Sequence, residues 1–159
     1  MKRLVIWALC AVAAGAAAAM IWREPLMLAA IAARAEPTSL EERAALLEPY
    51  IKTYTPEGAD GPLPAVLQFH GCSGPSAEHE RQFAEIANAA GYIAFSIDSN
   101  TPRGIDRAAG LTSVCTGERL IGQERAGDVA SALEIIGRRS NVDPSRIVLA
   151  GWSHGARPI

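Results

Sequence analysis

Apolar positions along this chain come in short continuous runs, separated by stretches where they recur at helical spacing. Residues 40–47 (LEERAALL) read as a short amphipathic helix. Residues 50–54 alternate and are β-prone, which predicts a strand, and the turn-rich 56–62 breaks it. Residues 64–69 form a mostly apolar run suited to a buried strand, and it ends at the glycine-bearing His70-Gly71-Cys72-Ser73-Gly74. Ser76 is placed to cap a helix that runs to Ala90 and stops at Gly91, with Phe83, Ile86, Ala87 and Ala90 as its apolar stripe. Residues 92–97 predict a third strand ending at Asp98. A long loop, 99–117, follows, and loops of that length often carry function. From Glu118 to Arg139 the spacing predicts a helix with Ala126, Val129, Ala130, Leu133 and Ile136 on one side. A turn at 141–145 then leads to a fourth strand at 146–150. Strand and helix alternate without an internal repeat, so the expected class is α/β: a mostly parallel sheet with helices on both faces.

The first 35 residues differ from the rest, which divides the chain into 1–35 and a domain over 36–159. Lys2 and Arg3 precede an uncharged, alanine-rich apolar run from Leu4 to Trp22. A basic flank followed by an apolar core reads as an export signal. The run is also long enough to span a bilayer as an uncleaved anchor through 4–22. Cleavage patterns stand at Ala17-Ala18-Ala19 and at Ala33-Arg34-Ala35, so both outcomes remain open. Either way the domain is expected outside the cytoplasm: periplasmic, secreted, or held at the inner membrane. Cys10 lies inside the run, behind Trp7-Ala8-Leu9, a poor setting for lipidation. That leaves Cys72 and Cys115, which either form a disulfide in an oxidising compartment or stay as two small buried thiols.

Charge narrows the partners. A net charge of −2 without a Lys/Arg cluster argues against a nucleic-acid surface. No CxxC pair or HExxH helix signals a metal, no cofactor is implied, and oligomeric state is not readable.

The chemistry is carried by Gly151-Trp152-Ser153-His154-Gly155, reached directly from an apolar strand. It matches the G-x-S-x-G elbow, in which serine sits exposed on a strained strand-to-helix turn. The glycines are needed because the neighbouring chain comes close on both sides. The bland alternative is an ordinary Gly/Ser turn. An earlier strand ends at His70-Gly71-Cys72, which suits the other half of an oxyanion hole. Acyl transfer builds negative charge on the carbonyl oxygen, and backbone N–H groups aimed there stabilise it. The expected donors are the amides of His154 and Cys72, with Ser153 as nucleophile.

These motifs stand in order with Asp98-Ser99, Pro102-Arg103-Gly104, Glu124-Arg125-Ala126-Gly127-Asp128 and Val142-Asp143-Pro144-Ser145-Arg146-Ile147. Together they resemble the dienelactone hydrolase family of α/β-hydrolases, over about residues 50–155. The resemblance implies a truncated α/β-hydrolase fold and a small-molecule substrate with an ester, lactone or similar acyl bond. The family's better-known members use cysteine as nucleophile, and serine here resembles the esterase-like branch. An acid and a histidine should follow the elbow in that family. In this sequence only Ala156 to Ile159 follow it. Of the three histidines, His70 belongs to the oxyanion loop, His154 adjoins the nucleophile and His79 sits in an early helix, so none is favoured as the base. Asp98 reads as a loop cap rather than a triad acid. Arg103 either pairs with a substrate carboxylate or serves the structure.

Pro158 falls within the first turns of the helix expected after Ser153, where it would clash. The expectation is therefore a truncated or frameshifted hydrolase without turnover, poorly soluble because its last strand would be an unpaired apolar edge. The continuation of the DNA beyond Ile159 would test it. The alternative class is a non-catalytic, membrane-anchored binding or interaction domain on the same scaffold. A third reading, a hydrolase completed by a second chain, has no support in the sequence.

Overall fold

The computed structural model describes residues 38–159, together with Pro25, Met27, Ala29 and Ala30. The apolar run 4–22, both cleavage patterns and Cys10 lie outside the described residues. The chain divides into two compact units, Met1–Ala35 and Glu36–Ile159. Among the described residues no helix is long and apolar enough to cross a membrane.

Two apolar runs form the centre of the sheet. Strand β2 (Leu63–Phe69) and strand β3 (Ile93–Ile97) are buried along most of their length, as parallel strands covered on both faces should be. They pair in parallel from Ala65 opposite Ile93 to Phe69 opposite Ile97. Strand β4 (Val142–Gly151) adds in parallel to β2, bringing Gly151 opposite Phe69. Strand β1 (Ile51–Tyr54) closes the other side, and the order is β1-β3-β2-β4. The sheet is mostly parallel, as the alternation of strand and helix predicts, and the exception is at its edge. β1 runs antiparallel to β3, with Ile51 opposite Ile97. Residue alternation identifies a strand but carries no information about its direction.

Helices cover both faces. On one, Val129, Ala132, Ile135 and Ile136 of helix α3 (Gly122–Gly137) pack on Ala65, Leu67, Phe69, Ile93, Phe95 and Ile97. Helix α1 (Leu40–Leu47) lies against α3; it is started by Ser39, whose side chain accepts the Glu42 N–H while the Glu42 carboxylate accepts the Ser39 N–H. On the other face, Ala84 and Ala87 of helix α2 (Ala77–Ala89) meet Val66 and Ala94.

Tertiary packing moves several expected boundaries. Helix α3 begins at Gly122 rather than Glu118, where the Glu124 carboxylate accepts the Ile121 N–H at 2.7 Å. Its inward face includes Arg125, Asp128 and Ser131, while Ala126 and Ala130 face solvent. Ile86 of α2 is 68% exposed rather than core. Ser76 precedes α2, but its side chain makes no capping bond. The expected turn at 141–145 is absorbed into β4, with a register shift opposite Leu63 and Ala65. The loop 99–117 is folded: a 3-10 turn at Thr101–Arg103, then a helical turn Arg107–Ala109 passing into π-helical Gly110–Val114.

Candidate active site

β4 delivers the chain to Gly151, and Trp152 N–H then donates to Phe69 C=O at 3.1 Å, fixing the turn to the end of β2. Ser153 follows with φ of +53°, a left-handed conformation that serine adopts only under constraint. It is exposed, and Gly155 N–H closes a 3-10 turn, Ser153–Ala156, onto Trp152 C=O at 2.9 Å. The glycines have a steric cause. A Cβ on Gly155 would overlap the carbonyls of Phe69 and His70, and one on Gly151 would overlap the Gly155 backbone. The constrained serine, the strand before it and the crowded glycines are what a nucleophile elbow requires.

The loop after β2 lies against this turn. The Cβ direction of Gly71 points to 3.6 Å from Ser153 Cβ and 3.4 Å from Trp152 C=O. Cys72, Ser153 and His154 share a small recess of about 70 Å³ with Cys115 and Arg157. The three residues expected to supply nucleophile and oxyanion donors therefore surround one space. Cys72 and Cys115 are joined by a disulfide, with their Cα atoms 5.1 Å apart.

Among the described residues no histidine nitrogen is hydrogen-bonded to the Ser153 hydroxyl. His70 Nδ1 pairs with Gly71 C=O at 2.6 Å and Nε2 accepts the Ser99 N–H at 3.0 Å, so both ring nitrogens are engaged. His154 is buried, and burial, followed by the positive charges of Arg125 and Arg157, pushes its pKa down to about 4. His79 is exposed and stands edge-on to Trp152 at 4.6 Å. It lies on a separate recess of about 210 Å³, lined also by Gln68, Gly71, Glu80 and Arg107 but not by Ser153.

Asp98 ends β3 as a cap: its carboxylate accepts the N–H of Asn100 at 2.9 Å and of Thr101 at 3.0 Å. Burial acts to raise its pKa, but the adjoining His70 and the Thr101 bonds outweigh burial and hold it at about 2. Arg103 is committed inside the protein. Its guanidinium donates to Asp128 at 2.8 and 3.2 Å and to Ser99 C=O at 2.7 Å.

Asp128, fully buried, also takes Arg43 at 3.1 Å. Arg125, 1% exposed, donates to His70 C=O at 2.9 Å and so supports the loop after β2 from beneath; burial lowers its pKa to about 10. Sequence reasoning missed Arg125 and Asp128 as site supports. The available signal was a pair of charges at helical spacing on the apolar side of α3, beside Val129 and Ala132. Among the described residues no group of three or more His, Cys, Asp or Glu is placed to hold a metal ion.

No family model matches the chain, and no curated protein does. Solved structures do. A dienelactone hydrolase-like promiscuous phosphotriesterase from metagenomic libraries matches with a TM-score of 0.54 and 24% identity, over 64% of this chain and 42% of that one. A putative dienelactone hydrolase from Klebsiella pneumoniae matches with a TM-score of 0.52 and 20% identity, over 64% and 43%. This chain shares the fold of dienelactone hydrolase-like proteins. The chain spans less than half the length of these two solved chains.

Proposed function

We propose that this chain carries the nucleophile and oxyanion-hole portion of an exported serine hydrolase for an ester, lactone or similar acyl bond. The observation that carries the reading is the strained Ser153 held directly against the Gly71-Cys72 loop. In the proposed reaction Ser153 Oγ attacks the acyl carbonyl. The amides of Cys72 and His154 stabilise the oxyanion, and the leaving group departs with the proton that a base takes from the serine. Export is supported by the basic flank and apolar run at residues 2–22.

His70, His79 and His154 offer no base, so the chain by itself is expected to show no turnover above background. An added base supplies the test. With p-nitrophenyl acetate and a high concentration of imidazole, the full chain should become acetylated at Ser153, releasing p-nitrophenol; peptide mass spectrometry locates the adduct. Ser153→Ala should lose it. Equal labelling of other serines, or none at Ser153, would overturn the reading in favour of a non-catalytic binding domain.

A further inference from the structure

The oxyanion loop takes most of its support from one region, and that region is bound to it covalently. Residues 71–74 form a turn, closed by Gly74 N–H on Gly71 C=O at 3.2 Å. The Cys72 carbonyl accepts Nδ2–H of Asn100 at 3.1 Å, and Asn100 is fully buried. Gly110 packs on the same peptide so closely that a Cβ there would overlap the Cys72 carbonyl and stand 3.2 Å from both Asn100 Nδ2 and Ser73 Cα. Gly74, with φ of +89°, brings its own Cβ direction to 3.3 Å from Asn100 Nδ2. The Cys72 side chain packs beside Ile105, Val114 and Leu120 and ends in the bridge to Cys115.

Apart from the loop's own turn bond, all of these contacts come from residues 98–120. That segment is folded into single turns and a π-helical stretch, and its own apolar cluster is only Ile105, Val114 and Leu120 with Cys72 and Ala109 against them. Cys72 is part of that cluster, so the loop and its support hold each other. The disulfide is the covalent bond across the pair, linking positions 43 apart in sequence. The amide it restrains is the one that the proposed reaction needs aimed at the oxyanion.

We propose that the Cys72–Cys115 disulfide and Asn100 are positioning residues for the oxyanion hole, so that acylation of Ser153 depends on the bridge being oxidised. The proposal rests on the serine hydrolase reading for its consequence, though not for its geometry. Reduction by a dithiol transfers two electrons and two protons to the bridge, giving two thiols and the oxidised dithiol. The Cys72 peptide then keeps only the Asn100 bond and the packing of Gly110.

Two readouts on the full chain, oxidised and reduced, test it. Hydrogen exchange should quicken at the amides of 71–74 on reduction, while β2 and β3 keep their protection. Imidazole-supported acetylation of Ser153 should fall about tenfold or more in maximal rate, with the half-saturating ester concentration unchanged, because the oxyanion forms only in the transition state. Reoxidation should restore both in the wild type and neither in Cys115→Ser. Asn100→Asp, which keeps the bridge but turns an acceptor toward the Cys72 carbonyl, should produce the same pair of changes, and it carries the test if reduction unfolds the chain. Unchanged exchange at 71–74, or unchanged acetylation in the reduced wild type and in Asn100→Asp, overturns the clamp. If Ser153 is never acetylated, even oxidised, the hydrolase reading fails, and exchange at 71–74 alone decides the clamp.

Discussion

The floor of the candidate site and the outer flank of β4 are built from the same strand, yet they are supported in opposite ways. At the floor, Gly151 and Gly155 leave no room for a methyl group, and every polar atom of the His70 ring has a partner. Along the flank, β4 pairs among the described residues with β2 alone, and Val148 is 48% exposed. There it edges a shallow apolar groove of about 220 Å³ with Val66, Phe83, Ile86 and Tyr92. One end of the strand is held from several sides, and its length is held from one. The difference teaches that the placement of Ser153 depends on close backbone approach at the strand end.

The largest expected effect comes from breaking the tight end. Gly155→Ala drives a methyl group into the Phe69 and His70 carbonyls and should destabilise the domain by more than about 4 kcal/mol, read as loss of a cooperative thermal transition. A native-like melt would show that the end is looser than its contacts imply. Next, Asp128→Ala leaves Arg43 and Arg103 without their shared carboxylate in a buried setting, and should cost about 3 kcal/mol in denaturant unfolding. Arg103→Lys, which cannot hold both Asp128 oxygens with one planar fork, should lose less.

Acid should act on the floor too, more mildly. Asp98 has its folded pKa depressed from 3.8 to about 2, so the stability it contributes is fully present above about pH 4 and is lost as pH falls from there toward 2. Partial solvation keeps the effect to about 1–2 kcal/mol. Asp98→Asn should flatten that part of the stability–pH curve; an unchanged curve would deny Asp98 its capping role. The smallest effect is expected on the flank. Val148→Lys should shift stability by less than about 0.5 kcal/mol, yet reduce aggregation by placing a charge on the open edge. A large loss of stability there would mean that the flank is packed as tightly as the floor.

Legibility divided along similar lines. Gly151, Ser153 and Gly155 were readable because a tight turn needs its residue types at fixed short spacing, and Gly71-Cys72 because it ends an apolar run. The long loop was readable as important but not as folded, since its single turns are set by partners such as Asn100 and Asp98 rather than by periodicity. Helical spacing puts Ile86, Ala126 and Ala130 on an apolar stripe, yet all three face solvent, because spacing defines a stripe without fixing where its edges fall. Arg103 could not be matched to Asp128 from sequence, as the two are separated by the whole run into α3.

The sequence by itself determined the alternation of strands and helices, the elbow and the loop facing it, because short-range sterics and hydrophobic spacing act within a few residues. Tertiary structure alone decided that β1 runs antiparallel, that Arg125 and Asp128 turn inward beneath the site, and that Cys72 meets Cys115 and Asn100. Those outcomes join segments far apart in the chain, and burying a charge or fixing a peptide depends on which partner arrives on the other side.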